Sequence, residues 1–176
     1  MTSFSSSCSF LFWVREVRIL SQLIESTLSE SLPYNIAEPQ RDLETGDLMA
    51  LLEKAFGYQG DNMNLPVENL ATALPFYENV LGFQVVSRSE APHKAAVLAR
   101  DQIQIRLAEN GGDPTQDGCA FHVKDVEALL AEFKTNGLQK ELSDLVSEEQ
   151  EGSTWKVFYV VAPDGLCYWF GERQQT

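Results

Sequence analysis

The chain is 176 residues long, 44% hydrophobic and 10% aromatic, with 13 basic residues against 26 acidic ones and a formal net charge of −13. That composition suits one packed domain plus an extension and excludes a disordered chain. An acidic excess repels phosphate backbones and anionic lipid, so nucleic acid and membrane surfaces are not expected partners, whereas cationic ligands are favoured.

Cys8, Cys119 and Cys167 have no CxxC spacing, which argues against a disulfide framework or structural zinc and makes the cytoplasm the expected compartment. No apolar run reaches the roughly 18 residues of a membrane span. No Lys or Arg precedes the apolar stretch Ser9–Val14, so a signal peptide is not expected either.

Residues 1–60 read as a helical extension with a linker. Trp13, Val17, Leu20, Ile24 and Leu28 share one helix face between Phe10 and Leu28. Ser29–Arg41, with Pro33, Asn35 and Pro39, reads as linker. The spacing of Leu48, Leu51, Leu52 and Phe56 then predicts a second helix over Gly46–Phe56, capped by Gly57.

Residues 61–176 read as the domain, and they contain an internal repeat. The segment Val67–Gln84 can be laid over Val123–Gln139. Each copy has a Val ending a strand, an Asx residue (Asn69, Asp125) able to cap a helix, an amphipathic helix, and a closing glycine (Gly82, Gly137). Proline is costly inside a helix, so Pro75 predicts a first helix that starts late, with Thr72 as effective cap, or that kinks.

Strands are expected at Phe83–Ser87, Ala95–Ala99, Gln102–Leu107, Leu138–Glu141, Thr154–Val161 and Leu166–Phe170, with turns at Arg100-Asp101 and Pro163-Asp164-Gly165. Strand–helix–strand–strand–strand written twice is an α+β pattern.

Three stretches carry a resemblance: Phe76-Tyr77-Glu78-Asn79-Val80-Leu81-Gly82-Phe83, Ala120-Phe121-His122-Val123-Lys124-Asp125-Val126, and Phe158-Tyr159-Val160-Val161-Ala162-Pro163-Asp164-Gly165. They resemble the vicinal-oxygen-chelate superfamily, which includes glyoxalase I, extradiol dioxygenases and bleomycin-resistance proteins. Asn64-Leu65-Pro66-Val67 is most similar to the bleomycin-resistance branch. The resemblance covers Asn62 to Glu172 and implies two βαβββ units whose curved sheets form a cup, usually completed by a second subunit.

Metal-dependent members hold one divalent ion through a His or Gln on the first strand, a Glu on the fourth, a His opening the fifth and a Glu on the eighth. Here those positions fall on Asn62, on Gln104 or Arg106, on Gly118 and on Trp169. None is a strong ligand, so neither a metal nor another cofactor is expected. His122 shares the face of Gly118, but a displaced site built on it needs further ligands.

Asn62, Gln104, Arg106, His122, Trp155 and Trp169 are the expected ligand-binding residues: aromatic surface with a few polar groups. No catalytic pairing is readable. Cys119 should face away from the cup, and nothing near Cys167 suggests an activated thiolate.

What the resemblance implies is a homodimeric binding protein for a small organic ligand, with a cationic aromatic molecule the best-suited class. One alternative is a glyoxalase- or dioxygenase-type enzyme with a displaced metal site. A second is a protein-interaction module using the N-terminal helices.

Overall fold

A computed structural model describes residues 50–139, 144–150 and 152–174. The helix expected over Phe10–Leu28 and the linker Ser29–Arg41 lie outside the described residues. The described chain runs β1 (Leu51–Gly57), β2 (Leu65–Pro66), α1 (Leu70–Asn79), β3 (Gln84–Ser89), β4 (Ala95–Arg100), β5 (Ile103–Ala108), β6 (Gly118–Lys124), α2 (Val126–Thr135), β7 (Val146–Gln150), β8 (Ser153–Val161) and β9 (Cys167–Arg173).

From β2 onward the order is strand–helix–strand–strand–strand, twice. Each unit forms its own sheet, and both sheets are wound alike. In the first, the order is β2-β5-β4-β3 with β2 parallel to β5; in the second, β6-β9-β8-β7 with β6 parallel to β9. The repeat seen in the residues is therefore a repeat of topology.

The second sheet carries one strand more than the repeat requires. β1 lies antiparallel on the β6 edge, from Leu51 opposite Lys124 to Gly57 opposite Cys119. This corrects the helix expected over Gly46–Phe56 from Leu51 onward; residues 46–49 lie outside the described residues. Leu52 is 1% exposed and its N–H donates to the Asp101 carboxylate at 3.0 Å, while the remaining backbone groups join a sheet edge that would otherwise stand open. Gly57 caps no helix. A Cβ there would lie 2.6 Å from the backbone of Asp61 and Asn62, so glycine allows the chain to double back toward β2.

Both helices begin where the Asx residues predict. Asn69 accepts from the Thr72 N–H at 3.2 Å, and Asp125 from the Ala128 N–H at 2.9 Å. Helix α1 thus starts at Leu70, not late at Thr72. Pro75 lies inside it on an exposed face with Ala71, whose carbonyl loses its helical partner to the ring but is open to water.

Of the strand expected at Leu138–Glu141, Lys140 and Glu141 lie outside the described residues. Leu138 and Gln139 are not strand, and the outer strand of the second sheet is Val146–Gln150.

The helices and the inner sheet faces share one core. Phe121 and Phe158 each stack on Phe170 at 5.0 Å between ring centroids, and Phe133 of α2 meets Phe158 and Phe170 edge-on. Such pairs add about 0.5–1.5 kcal/mol each beyond burial. The buried hydroxyls of Tyr77 and Tyr168 lie 2.9 Å apart, and Tyr77 donates to Asp164 at 2.9 Å, tying α1 to the β8–β9 turn. This packing leaves the opposite face of the second sheet to carry the site.

Candidate functional site

Side chains alternate across a strand. With Phe121, Tyr168, Phe170 and Phe158 committed to the core, their neighbours must point the other way. In register, that face presents Lys54 and Phe56 from β1, Ala120 and His122 from β6, Trp169 and Gly171 from β9, Trp155, Val157 and Tyr159 from β8, and Glu148 from β7.

The rings form a continuous group. His122 lies between Phe56 at 5.0 Å and Trp155 at 4.6 Å, with Trp169 at 6.1 Å; Trp155 and Trp169 are 5.4 Å apart. Trp169 is 3% exposed, whereas Phe56 is 49% exposed. Gly171 makes the arrangement possible, since a Cβ there would lie 2.0 Å from the Trp169 ring.

A half-buried carboxylate borders this group on the side of Trp155 and Trp169. Glu148 accepts from the Tyr159 hydroxyl at 2.6 Å, from Gln150 at 3.2 Å and from the Trp169 indole N–H at 3.3 Å. All three donors are neutral, and among the described residues Glu148 has no cationic partner. The donors hold the carboxylate in place without cancelling its charge.

His122 is half-buried. Burial, and then the Lys54 ammonium, hold its imidazole below the usual 6.5, with Glu53 opposing. It is therefore mainly neutral at neutral pH.

The other predicted residues belong to the first unit. The Asn62 amide donates to the Gln104 carbonyl at 2.8 Å, and the Arg106 N–H to the Asn62 carbonyl at 3.0 Å. Arg106 shares the face of Gln104 and reaches the Met63 carbonyl at 3.4 Å, not the aromatic group. A shallow depression of about 330 Å³ lies between β1 and β5, lined by Lys54, Ala55, Phe56, Asn62, Gln102, Ile103 and Gln104. Phe56 borders both this depression and His122, so β1 links the two halves of the predicted site.

His122, Trp155 and Trp169 are thus brought together, as are Asn62 and Gln104. Glu148 is not legible in the sequence, because the pattern predicts its strand elsewhere, nor are Lys54 and Phe56, because the spacing of their segment predicts a helix.

The family's metal positions do not fit an ion. The side chain of Asn62 is spent on a backbone carbonyl and the Trp169 indole on Glu148. At Gly118 a Cβ would lie 1.8 Å from the Cys167 carbonyl oxygen, leaving no room for any side chain. Among the described residues, no group of three His, Cys, Asp or Glu could hold a metal ion. Cys119 faces the core, and burial pushes its thiol up to about 12, far from a reactive thiolate. No helix among the described residues is long and apolar enough to cross a membrane.

Among curated proteins nothing matches the chain. Its fold is similar to that of a virulence protein from Salmonella typhimurium, 20% identical with a TM-score of 0.50, covering 64% of this chain and 94% of that one. A protein from the mobile metagenome of V. pseudocholerae is 20% identical with a TM-score of 0.51, covering 65% of this chain and 94% of that one. A bleomycin resistance determinant encoded on the transposon Tn5 is 25% identical with a TM-score of 0.49, covering 64% and 96%. The first two likenesses show no more than the fold. A family profile matches residues 60–152, more than half of the chain. The chain belongs to the Glyoxalase/Bleomycin resistance protein/Dioxygenase superfamily.

Proposed function

We propose that this protein is a binding protein for a small organic molecule, of the bleomycin-resistance type, taking a cationic aromatic ligand without metal. One observation carries the reading. A fixed carboxylate, Glu148, is held by Tyr159 and Trp169 opposite Trp155, at the border of the ring group that these tryptophans share with His122, and among the described residues no cation pairs with it. A cation seated there gains attraction from the carboxylate and from ring faces, and its flat body gains stacking. The overall charge of −13 adds long-range attraction of the same sign.

The cup is completed by a second copy. Phe56, Val146 and Val161 are 49%, 44% and 61% exposed on the site's face of the second sheet, and a homodimer gives that surface a cover. The expected compartment stays the cytoplasm, and no nucleic acid or membrane partner is invoked.

The test uses the emission of Trp155 and Trp169. Phenyltrimethylammonium should quench or shift it saturably, and benzyl alcohol, a neutral ring of similar size, should do so far more weakly. Glu148→Gln should weaken binding of the cation about tenfold, the loss of one half-buried charge contact. Equal response to the two probes would sink the cationic reading. A binding response that needs added Ni, Zn, Mn or Fe would sink the metal-free one.

A further inference from the structure

Strand β1 precedes the segment matched by the family profile, residues 60–152. It is also the element that joins the aromatic group to the depression beside β5. Lys54 stands opposite His122 and Phe56 opposite Ala120, both on the face of the site. The depression adds the side chains of Gln102 and Gln104, both exposed, to the Lys54 ammonium and the Phe56 ring. Among the described residues Lys54 makes no ion pair.

We infer that β1 forms the second wall of the binding site, where Lys54 and the Gln102 and Gln104 amides receive an anionic group of a ligand lying against Phe56. This rests on the proposed cationic-aromatic reading and extends it: the ligand is amphoteric. Its cation lies toward Glu148 on β7 and its anion toward Lys54 on β1.

Chemistry favours an anion here in spite of the acidic surface. Charges are screened beyond about 8 Å at physiological salt, so the nearest charge decides. The amides supply N–H donors that a carboxylate can accept, while Phe56 and Ile103 suit an apolar body. Glu53, at the irregularity in the β1–β6 pairing, also acts on His122, with less effect than Lys54 and of opposite sign. At His122 it opposes Lys54 without outweighing it. Four strand spacings separate β1 from β7, and at about 4.8 Å each they limit the reach of the ligand to roughly 19 Å across the sheet.

The test is a fluorescence titration of the full chain with rhodamine B and with its ethyl ester. Both carry the same cationic ring system, and only the first has a free carboxylate. The unaltered protein should bind both, and rhodamine B more tightly. Lys54→Ala should weaken rhodamine B roughly threefold to fivefold, the scale of an exposed ion pair, and leave the ester unchanged or slightly tighter. Phe56→Ala should weaken both dyes. Glu148→Gln should weaken both and reports on the underlying reading alone. If the protein binds the ester but Lys54→Ala lowers both dyes equally, or neither, the anion subsite is overturned while the cationic site stands. Binding of neither dye to the unaltered protein overturns both.

Discussion

At the scale of single residues, His122 makes the site sensitive to pH in a direction that burial fixes. Its imidazole is held below 6.5 in the folded chain, so the unfolded chain takes up the proton first as pH falls. Stability from this group is full above pH 6.5 and declines below it. Protonation also places a positive charge where a cation is to bind. Going from pH 7.5 to 5.5 should therefore lower both the unfolding midpoint and the affinity for phenyltrimethylammonium. His122→Gln should flatten both dependences. A variant that keeps the full slope would assign it elsewhere.

The Tyr77 hydroxyl offers a test of the core. Tyr77→Phe leaves the fully buried Tyr168 hydroxyl without its tyrosine partner and takes a donor from Asp164. A loss of about 1–3 kcal/mol is expected in urea unfolding.

At the scale of elements, the cup face of β6, β9 and β8 was legible because motifs anchored the register. Trp155 is expected from the sequence only near the mouth of the cup, and the pairing of β8 with β9 sets it beside His122 and Trp169. β1 was not legible. Leu48, Leu51, Leu52 and Phe56 satisfy a helical spacing, and what makes Leu51–Gly57 a strand is the open edge of β6, a partner some 65 residues away in the sequence. Glu148 was missed for a related reason: the expected strand at Leu138–Glu141 drew the alternation argument away from β7. The local pattern could not say which polar stretch pairs with β8.

Gly171 shows how closely β9 is matched to the site. Gly171→Ala would put a methyl group into the Trp169 ring, a movable side chain. The ring should swing off His122 and Glu148, so ligand affinity should fall while the fold survives. Gly118→Ala is a different case, because the obstacle is the Cys167 carbonyl in the adjoining strand. It should destabilise the β6–β9 pairing by about 3 kcal/mol, at the upper end of overpacking costs. Thermal unfolding and dye titration of the two variants separate these outcomes.

At the scale of the described domain, two similarly wound sheets share one core through their helices, and the proposed ligand and second copy would take the face of the second sheet that the core leaves open. Sedimentation should show a dimer, and Val161→Glu should shift it toward monomer. An unchanged assembly would remove the second copy from the cup. Two of the family's metal positions are filled by residues unsuited to an ion: one is a glycine closed in by a carbonyl and another is a tryptophan bound to Glu148.

The most direct measurement compares binding of phenyltrimethylammonium to the chelator-treated protein and to its Glu148→Gln variant. Saturable binding that survives chelation and falls about tenfold in the variant is the expected result, the scale of one charge-assisted contact. Binding that disappears on chelation and returns with a divalent metal would contradict it.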